Sequence, residues 1–166
     1  MQGSKREELQ ILIDKEDIDI IGITETWGRS EVLDCELELY GYKLFRTDRK
    51  DSDTINDKNG SGVALYVKNS LQSVECDELN SKKCEAVWCR IYLNDVDYFI
   101  TGVCYRSQNV DDCELAQLFD AIKLACDVDH PTLIMGDFNY PEVITIHEVV
   151  IRQSDLFVIF VCCTCV

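Results

Sequence analysis

Apolar and polar positions alternate along the chain in two rhythms, one helical and one extended. In residues 5–16, KREELQILIDKE, the apolar side chains Leu9, Leu12 and Ile13 fall at helical spacing, which predicts a helix capped by Ser4. Residues 18–24, IDIIGIT, form a short Ile-rich run, which predicts a buried strand ending at Glu25. Residues 42–46 and the run from Gly62 to Val67, GVALYV, predict two more strands. Between them, 47–61 is polar and turn-rich and reads as an exposed loop. Residues 84–93 and 97–105 predict strands joined across Asn94-Asp95-Val96, a link short and turn-prone enough for an antiparallel hairpin. In 111–127, Leu115, Leu118, Phe119, Ile122 and Ala125 share one helical face and Asp111 is placed to cap it. After the break at Pro131, Thr132 to Met135 predicts a strand that runs into Gly136-Asp137-Phe138-Asn139-Tyr140-Pro141. Residues 143–151 and 156–163 are strand-like, with weaker turn signals between them.

Helices mixed with strands, some in hairpins, point to an α/β sandwich with mixed sheets. A chain of 166 residues suits one domain with one buried core. It shows no internal repeat, coiled coil or low-complexity segment. One boundary falls near Glu142: residues 1–142 form the domain, and 143–166 a divergent segment that is apolar and rich in cysteine. Its last stretch, Leu156 to Val166, is too short to span a bilayer as a helix and reads as a buried strand or an out-of-frame tail.

Composition narrows the chemistry. Apolar residues make up 46% and charged residues 28%, a globular balance rather than a disordered one. Sixteen Lys and Arg face thirty-one Asp and Glu, a net charge of −15, which argues against tight binding of DNA through a basic face. An acidic site that reaches phosphate through a divalent cation stays compatible with that charge. The ten cysteines are irregularly spaced without paired CxxC units, so a zinc site is not expected. No secretory signal opens the chain, which implies an intracellular protein, cytoplasmic or nuclear, with reduced thiols packed partly in the core.

Candidate chemistry sits where strands end. Glu25 follows the 18–24 strand, and Asp137 and Asn139 follow the 132–135 strand, two residues apart, so that extended backbone would point them the same way. Carboxylate and amide oxygens suit Mg2+ or Mn2+. Each signal alone has a plainer reading: Glu25 as a solvated strand end, Asp137-Phe138-Asn139 as an Asx-stabilised turn, Tyr105 as a rim aromatic.

Taken in order the motifs are more specific. Ile20-Ile21-Gly22-Ile23-Thr24-Glu25-Thr26-Trp27, Gly60-Ser61-Gly62-Val63-Ala64-Leu65-Tyr66-Val67, Val103-Cys104-Tyr105-Arg106-Ser107 and Leu133-Ile134-Met135-Gly136-Asp137-Phe138-Asn139 resemble successive motifs of the endonuclease/exonuclease/phosphatase superfamily. The Thr-Glu-Thr-Trp wording resembles the endonuclease domain of non-LTR retrotransposons, and the resemblance covers roughly residues 4 to 142. It implies a four-layer α/β sandwich of the DNase I-like kind and Mg2+- or Mn2+-dependent attack of water on a phosphodiester of DNA; the sequence points to no membrane and names no protein partner. The resemblance further implies that Glu25 is the metal ligand, that Asp137 orients or deprotonates water, that Asn139 helps to hold water and phosphate, and that Tyr105 hydrogen-bonds the scissile phosphate.

The chain departs from the family pattern in two places. The Asn-bearing strand with which the family normally begins has no counterpart here. The late Ser-Asp-His motif is also missing: His130 precedes Pro131 as a surface turn, His147 has no Ser-Asp before it, and Ser154-Asp155 is followed by Leu156. The sandwich is therefore expected to be incomplete and nicking activity slight or nil. A non-catalytic remnant, or a phosphatase of lipid or inositol phosphates in the same superfamily, are the alternatives.

Overall fold

The computed structural model describes residues 3–28, 31–48, 62–80, 84–127, 129–139, 150–153 and 156–162. In chain order the elements are α1 (Gly3–Glu16), β1 (Ile20–Thr24), α2 (Asp34–Leu37), β2 (Tyr42–Thr47), β3 (Val63–Lys68), β4 (Gln72–Glu75), β5 (Ala86–Tyr92) and β6 (Tyr98–Tyr105). They continue with α3 (Asp112–Cys126), β7 (Thr132–Asp137), β8 (Val150–Gln153) and β9 (Leu156–Cys162). The strands form two sheets, one in the order β2-β3-β1-β9-β8 and the other β4-β5-β6-β7. Both are mixed. In the first, β1 pairs antiparallel with β3 and parallel with β9; in the second, β6 pairs antiparallel with β5 and parallel with β7.

Strict alternation along the strands sorts their side chains into layers. From the first sheet Ile20, Phe45, Val63, Leu65 and Val67 meet Val87, Cys89, Ile91, Phe99, Val103, Tyr105 and Met135 of the second, so the sheets pack face to face. The intervening residues point outward. Ile21, Ile23, Ala64 and Tyr66 receive Leu9 and Ile13 of α1, while Ala86, Trp88, Ile100 and Cys104 receive Leu118 and Ala125 of α3. Helix, sheet, sheet and helix make the expected four layers. Polar ties reinforce the sheet pair: Thr47 Oγ1 donates to the Ala86 carbonyl at 2.8 Å, and Lys43 Nζ to the Ser73 carbonyl at 2.9 Å.

Several expectations need correction. The first helix starts at Gly3, so Ser4 lies inside its first turn rather than capping it. The α3 cap is as expected, Asp111 accepting from the Glu114 amide at 2.7 Å, but Phe119 is 44% exposed and Ala121 is buried in its stead. The hairpin of β5 and β6 forms, with Tyr92 opposite Tyr98. Two elements carried no apolar rhythm and were not expected: the short α2, and β4, in which Ser73 is buried and Val74 is exposed. Beyond Asp48, the expected 47–61 loop lies outside the described residues, as do 143–149. The 156–163 run does form a strand, and β9 lies parallel to β1.

Cys76, Cys84, Cys89 and Cys104 are buried as free thiols, in line with their use as small apolar core residues. Burial pushes the Cys76 thiol up to about 11, with nearby Glu78 adding to it, and burial likewise raises Cys89 and Cys104, so these thiols stay protonated and unreactive. No helix among the described residues is long and apolar enough to cross a membrane.

Close packing also fixes one glycine. A Cβ at Gly102 would overlap the six-membered ring of Trp88, which is fully buried on the neighbouring strand. Gly102→Ala is expected to lower unfolding stability by about 1–3 kcal/mol through overpacking. Urea denaturation checks this; an unchanged midpoint would mean that the Trp88 ring has room to move.

Candidate active site

Three strands bring their carboxyl ends to one place: β1 ends at Thr24, β6 at Tyr105 and β7 at Asp137. Because β6 and β7 run parallel in register, Tyr105 lies directly opposite Asp137. Tyr105 belongs to the second sheet and points into the layer between the sheets. Its hydroxyl crosses that layer and donates to Glu25 Oε1 at 2.8 Å, immediately after the end of β1.

The loop after β1 is bent to make that contact possible. Glu25 and Trp27 both have φ of 54°, in the left-handed region that side-chain-bearing residues rarely adopt. Such positions cost on the order of 1 kcal/mol each and persist only where surrounding contacts hold them. Here the Thr26 amide donates to the Gly62 carbonyl at 3.1 Å, and the Gly28 amide to Thr26 Oγ1 at 3.2 Å. The Gly62 amide in turn donates to Glu85 Oε2 at 3.4 Å, and the Glu85 carbonyl accepts from the Tyr105 amide at 2.8 Å. Glu85 thus links the β3 and β6 sides of the site.

The Tyr105 phenol is held well above its ordinary value. Burial is the largest cause, followed by the hydrogen bond to Glu25 and then by the negative charges of Glu25, Glu85 and Asp137. The group therefore stays an O–H donor through the physiological range.

Asp137 sits on a turn rather than on continuing strand. The Asn139 amide donates to Asp137 Oδ1 at 2.9 Å, and Asn139 has φ of 48°. This is an Asx turn, and it corrects the expectation that extended backbone aligns the two side chains. The Asn139 side-chain nitrogen donates to the Arg106 carbonyl at 2.7 Å. Gly136 allows β7 to lie close against β6, since a Cβ there would overlap the Cys104 carbonyl oxygen.

Glu25, Tyr105 and Asp137 are thus brought together, with Asn139 behind Asp137. No group of three or more His, Cys, Asp or Glu residues among the described residues is arranged to hold a metal ion. The donor chemistry fits Mg2+ nonetheless, because that ion commonly takes one or two carboxylates and keeps several waters. His130 lies elsewhere: its ring stacks on Tyr98 with centroids 3.7 Å apart, at the opposite end of β6, roughly 20 Å from Tyr105 by strand rise. His147, Ser154 and Asp155 lie outside the described residues. Sequence reasoning did not single out Glu85, which sat unremarked within the 84–93 run, nor give Arg106 a role, although it follows Tyr105 directly.

Comparison with known proteins bears on this arrangement. A model of the Endonuclease/Exonuclease/phosphatase family matches residues 1–142. No curated protein matches the chain. Among solved structures, the endonuclease domain of TRAS1, a telomere-specific non-LTR retrotransposon, is similar with a TM-score of 0.60 at 13% identity, over 85% of this chain and 56% of that one. The likeness shows a shared DNase I-like fold, and the chain spans a little over half of that domain.

The raised Tyr105 value has a measurable sign. Tyr105 is raised above its unfolded value of about 10, so the stability it contributes is full below pH 10 and is lost as pH climbs beyond it. In metal-free buffer, the difference in unfolding free energy between the native chain and Tyr105→Phe is expected to shrink steadily above pH 10. Urea denaturation across that range tests this, and a difference that stays constant to the alkaline limit would show that the phenol is not held protonated.

Proposed function

The chain belongs to the endonuclease/exonuclease/phosphatase family, and on that premise we propose that its site hydrolyses a phosphodiester of DNA with the aid of Mg2+ or Mn2+, at an impaired rate. The observation that carries this reading is the Tyr105 hydroxyl bonded to Glu25 across the two sheets, with Asp137 opposite Tyr105 in register. Glu25 would hold the cation through one carboxylate. When bound, the cation supplies positive charge against the charge that develops on phosphate. Tyr105, kept protonated, would turn its single O–H from Glu25 to a phosphate oxygen when substrate binds. Asp137 orients the attacking water and takes its proton, and Asn139 keeps the Asp137 carboxylate in place through its backbone amide. DNA as the substrate is supported by the nature of the TRAS1 domain, whose fold this chain shares. Impairment is supported by the position of His130, stacked on Tyr98 away from Tyr105 and Asp137.

Two measurements test the reading. Mg2+ is expected to raise the thermal midpoint of the native chain and not that of Glu25→Gln. With supercoiled plasmid, slow Mg2+-dependent nicking is expected, falling by about 10²-fold or more in Asp137→Ala. Equal midpoint shifts in both proteins and no nicking would assign the chain to a non-catalytic remnant. Faster turnover of an inositol phosphate than of DNA would move the proposal to the phosphatases of the family.

A further inference from the structure

We propose that Arg106 is the positioning residue of the site, a clamp that sets the Asp137 carboxylate through the turn ending at Asn139. The inference rests on the reading of Asp137 as the group that handles water. Arg106 immediately follows Tyr105 at the end of β6 and meets the turn after β7 with backbone and side chain together. Its amide donates to the Asp137 carbonyl at 2.9 Å, extending the β6–β7 pairing by one bond. Its Nη1 donates to the carbonyls of Phe138 at 3.3 Å and Asn139 at 3.1 Å. Its own carbonyl accepts from Asn139 Nδ2 at 2.7 Å.

Two of these four bonds involve Asn139, and that residue is in the left-handed region. Asn139 has φ of 48°, and its amide is the donor that fixes Asp137 Oδ1. The turn geometry and the carboxylate orientation are therefore a single unit, with the guanidinium holding it from outside. Arginine suits this task better than lysine. Its charge persists at any pH the protein survives, and its planar head carries rigidly aimed donors, whereas an ammonium is a mobile point charge. Arg106 is partly buried beside these carbonyls, so its hydrogen bonds compete weakly with water.

A clamp of this kind acts on turnover rather than on substrate binding. A misplaced Asp137 carboxylate still leaves the cation site at Glu25 and the Tyr105 hydroxyl to meet the phosphate, but it loses the aligned attack, an effect on the order of 10²-fold for a displacement of about 1 Å. The experiment uses the full chain and the variants Arg106→Gln and Arg106→Lys, read by hydrogen exchange of the Asn139 amide and by steady-state plasmid nicking in Mg2+. Retained circular dichroism in Arg106→Lys establishes that the fold survives if Arg106→Gln does not fold. The expected result is faster exchange at Asn139 with core amides unchanged, and kcat lowered by about 10²-fold with KM unaltered. Native protection of the Asn139 amide in a folded variant would overturn the clamp. So would a rise in KM at constant kcat, which would make Arg106 a substrate contact. If the native chain itself fails to nick, the catalytic reading of Asp137 falls, while exchange at Asn139 still decides whether Arg106 holds the turn.

Discussion

The hydrogen bond from the Tyr105 hydroxyl to the Glu25 carboxylate is the point on which the site depends. It joins the end of a strand in one sheet to the end of a strand in the other. Sheet packing alone would leave the relative position of those two ends to apolar contacts, which are not directional. A buried phenol and a carboxylate impose both a distance and a direction. The contact also sets the backbone: Glu25 reaches Tyr105 from a loop with two left-handed residues, and the Thr26–Gly62 and Gly62–Glu85 bonds keep that loop from relaxing. A network of this kind is costly when partly satisfied and rigid when complete.

Much of the fold was legible because the sheets face each other and helices cover their outer faces. Strands buried on both faces read as continuous apolar runs, as in Ile20–Thr24 and Val63–Lys68, and the amphipathic rhythm of α3 marks the covering layer. What escaped was governed by neighbours rather than by rhythm. Strand β4 buries Ser73 and exposes Val74, the reverse of what alternation suggests, because it is an edge strand fixed by pairing with β5. Phe119 turned out exposed because α3 meets the sheet through Leu118, Ile122 and Ala125, which pack over Trp88 and Cys104. The C-terminal strand could be foreseen as a strand, but its parallel pairing with β1 could not, since partner choice is a long-range property.

At the site the legible part was the set of residue types at strand ends. Glu25 and Asp137 were visible from position and Tyr105 only through the family resemblance, and the parallel register of β6 with β7 accounts for Tyr105 and Asp137 meeting. The turn at Asn139 was not, because left-handed backbone at a non-glycine residue leaves little trace in sequence beyond the tolerance of Asn for it. Arg106 and Glu85 were hidden for a different reason. Their contributions run mainly through backbone atoms, Arg106 to the carbonyls of Phe138 and Asn139, and Glu85 through its own carbonyl to the Tyr105 amide. Contacts made to backbone do not constrain the partner's identity, so no pair of residue types signals them.

The electrostatics of the site and of the chain point the same way. Glu25, Glu85 and Asp137 all act on the Tyr105 phenol to keep it protonated, so negative charge converges on that hydroxyl. The chain as a whole adds a net charge of −15. An anionic substrate approaching such a surface is repelled unless positive charge is supplied locally, and the guanidinium of Arg106 is turned toward backbone carbonyls of the Asp137 turn. Under the proposed reading, a divalent cation held at Glu25 would resolve this conflict, since carboxylates that repel phosphate are the groups that attract the ion. On that reading the same carboxylates would serve two ends: they would keep Tyr105 in the donor state that a phosphate oxygen needs, and they would make affinity for the substrate conditional on the cation.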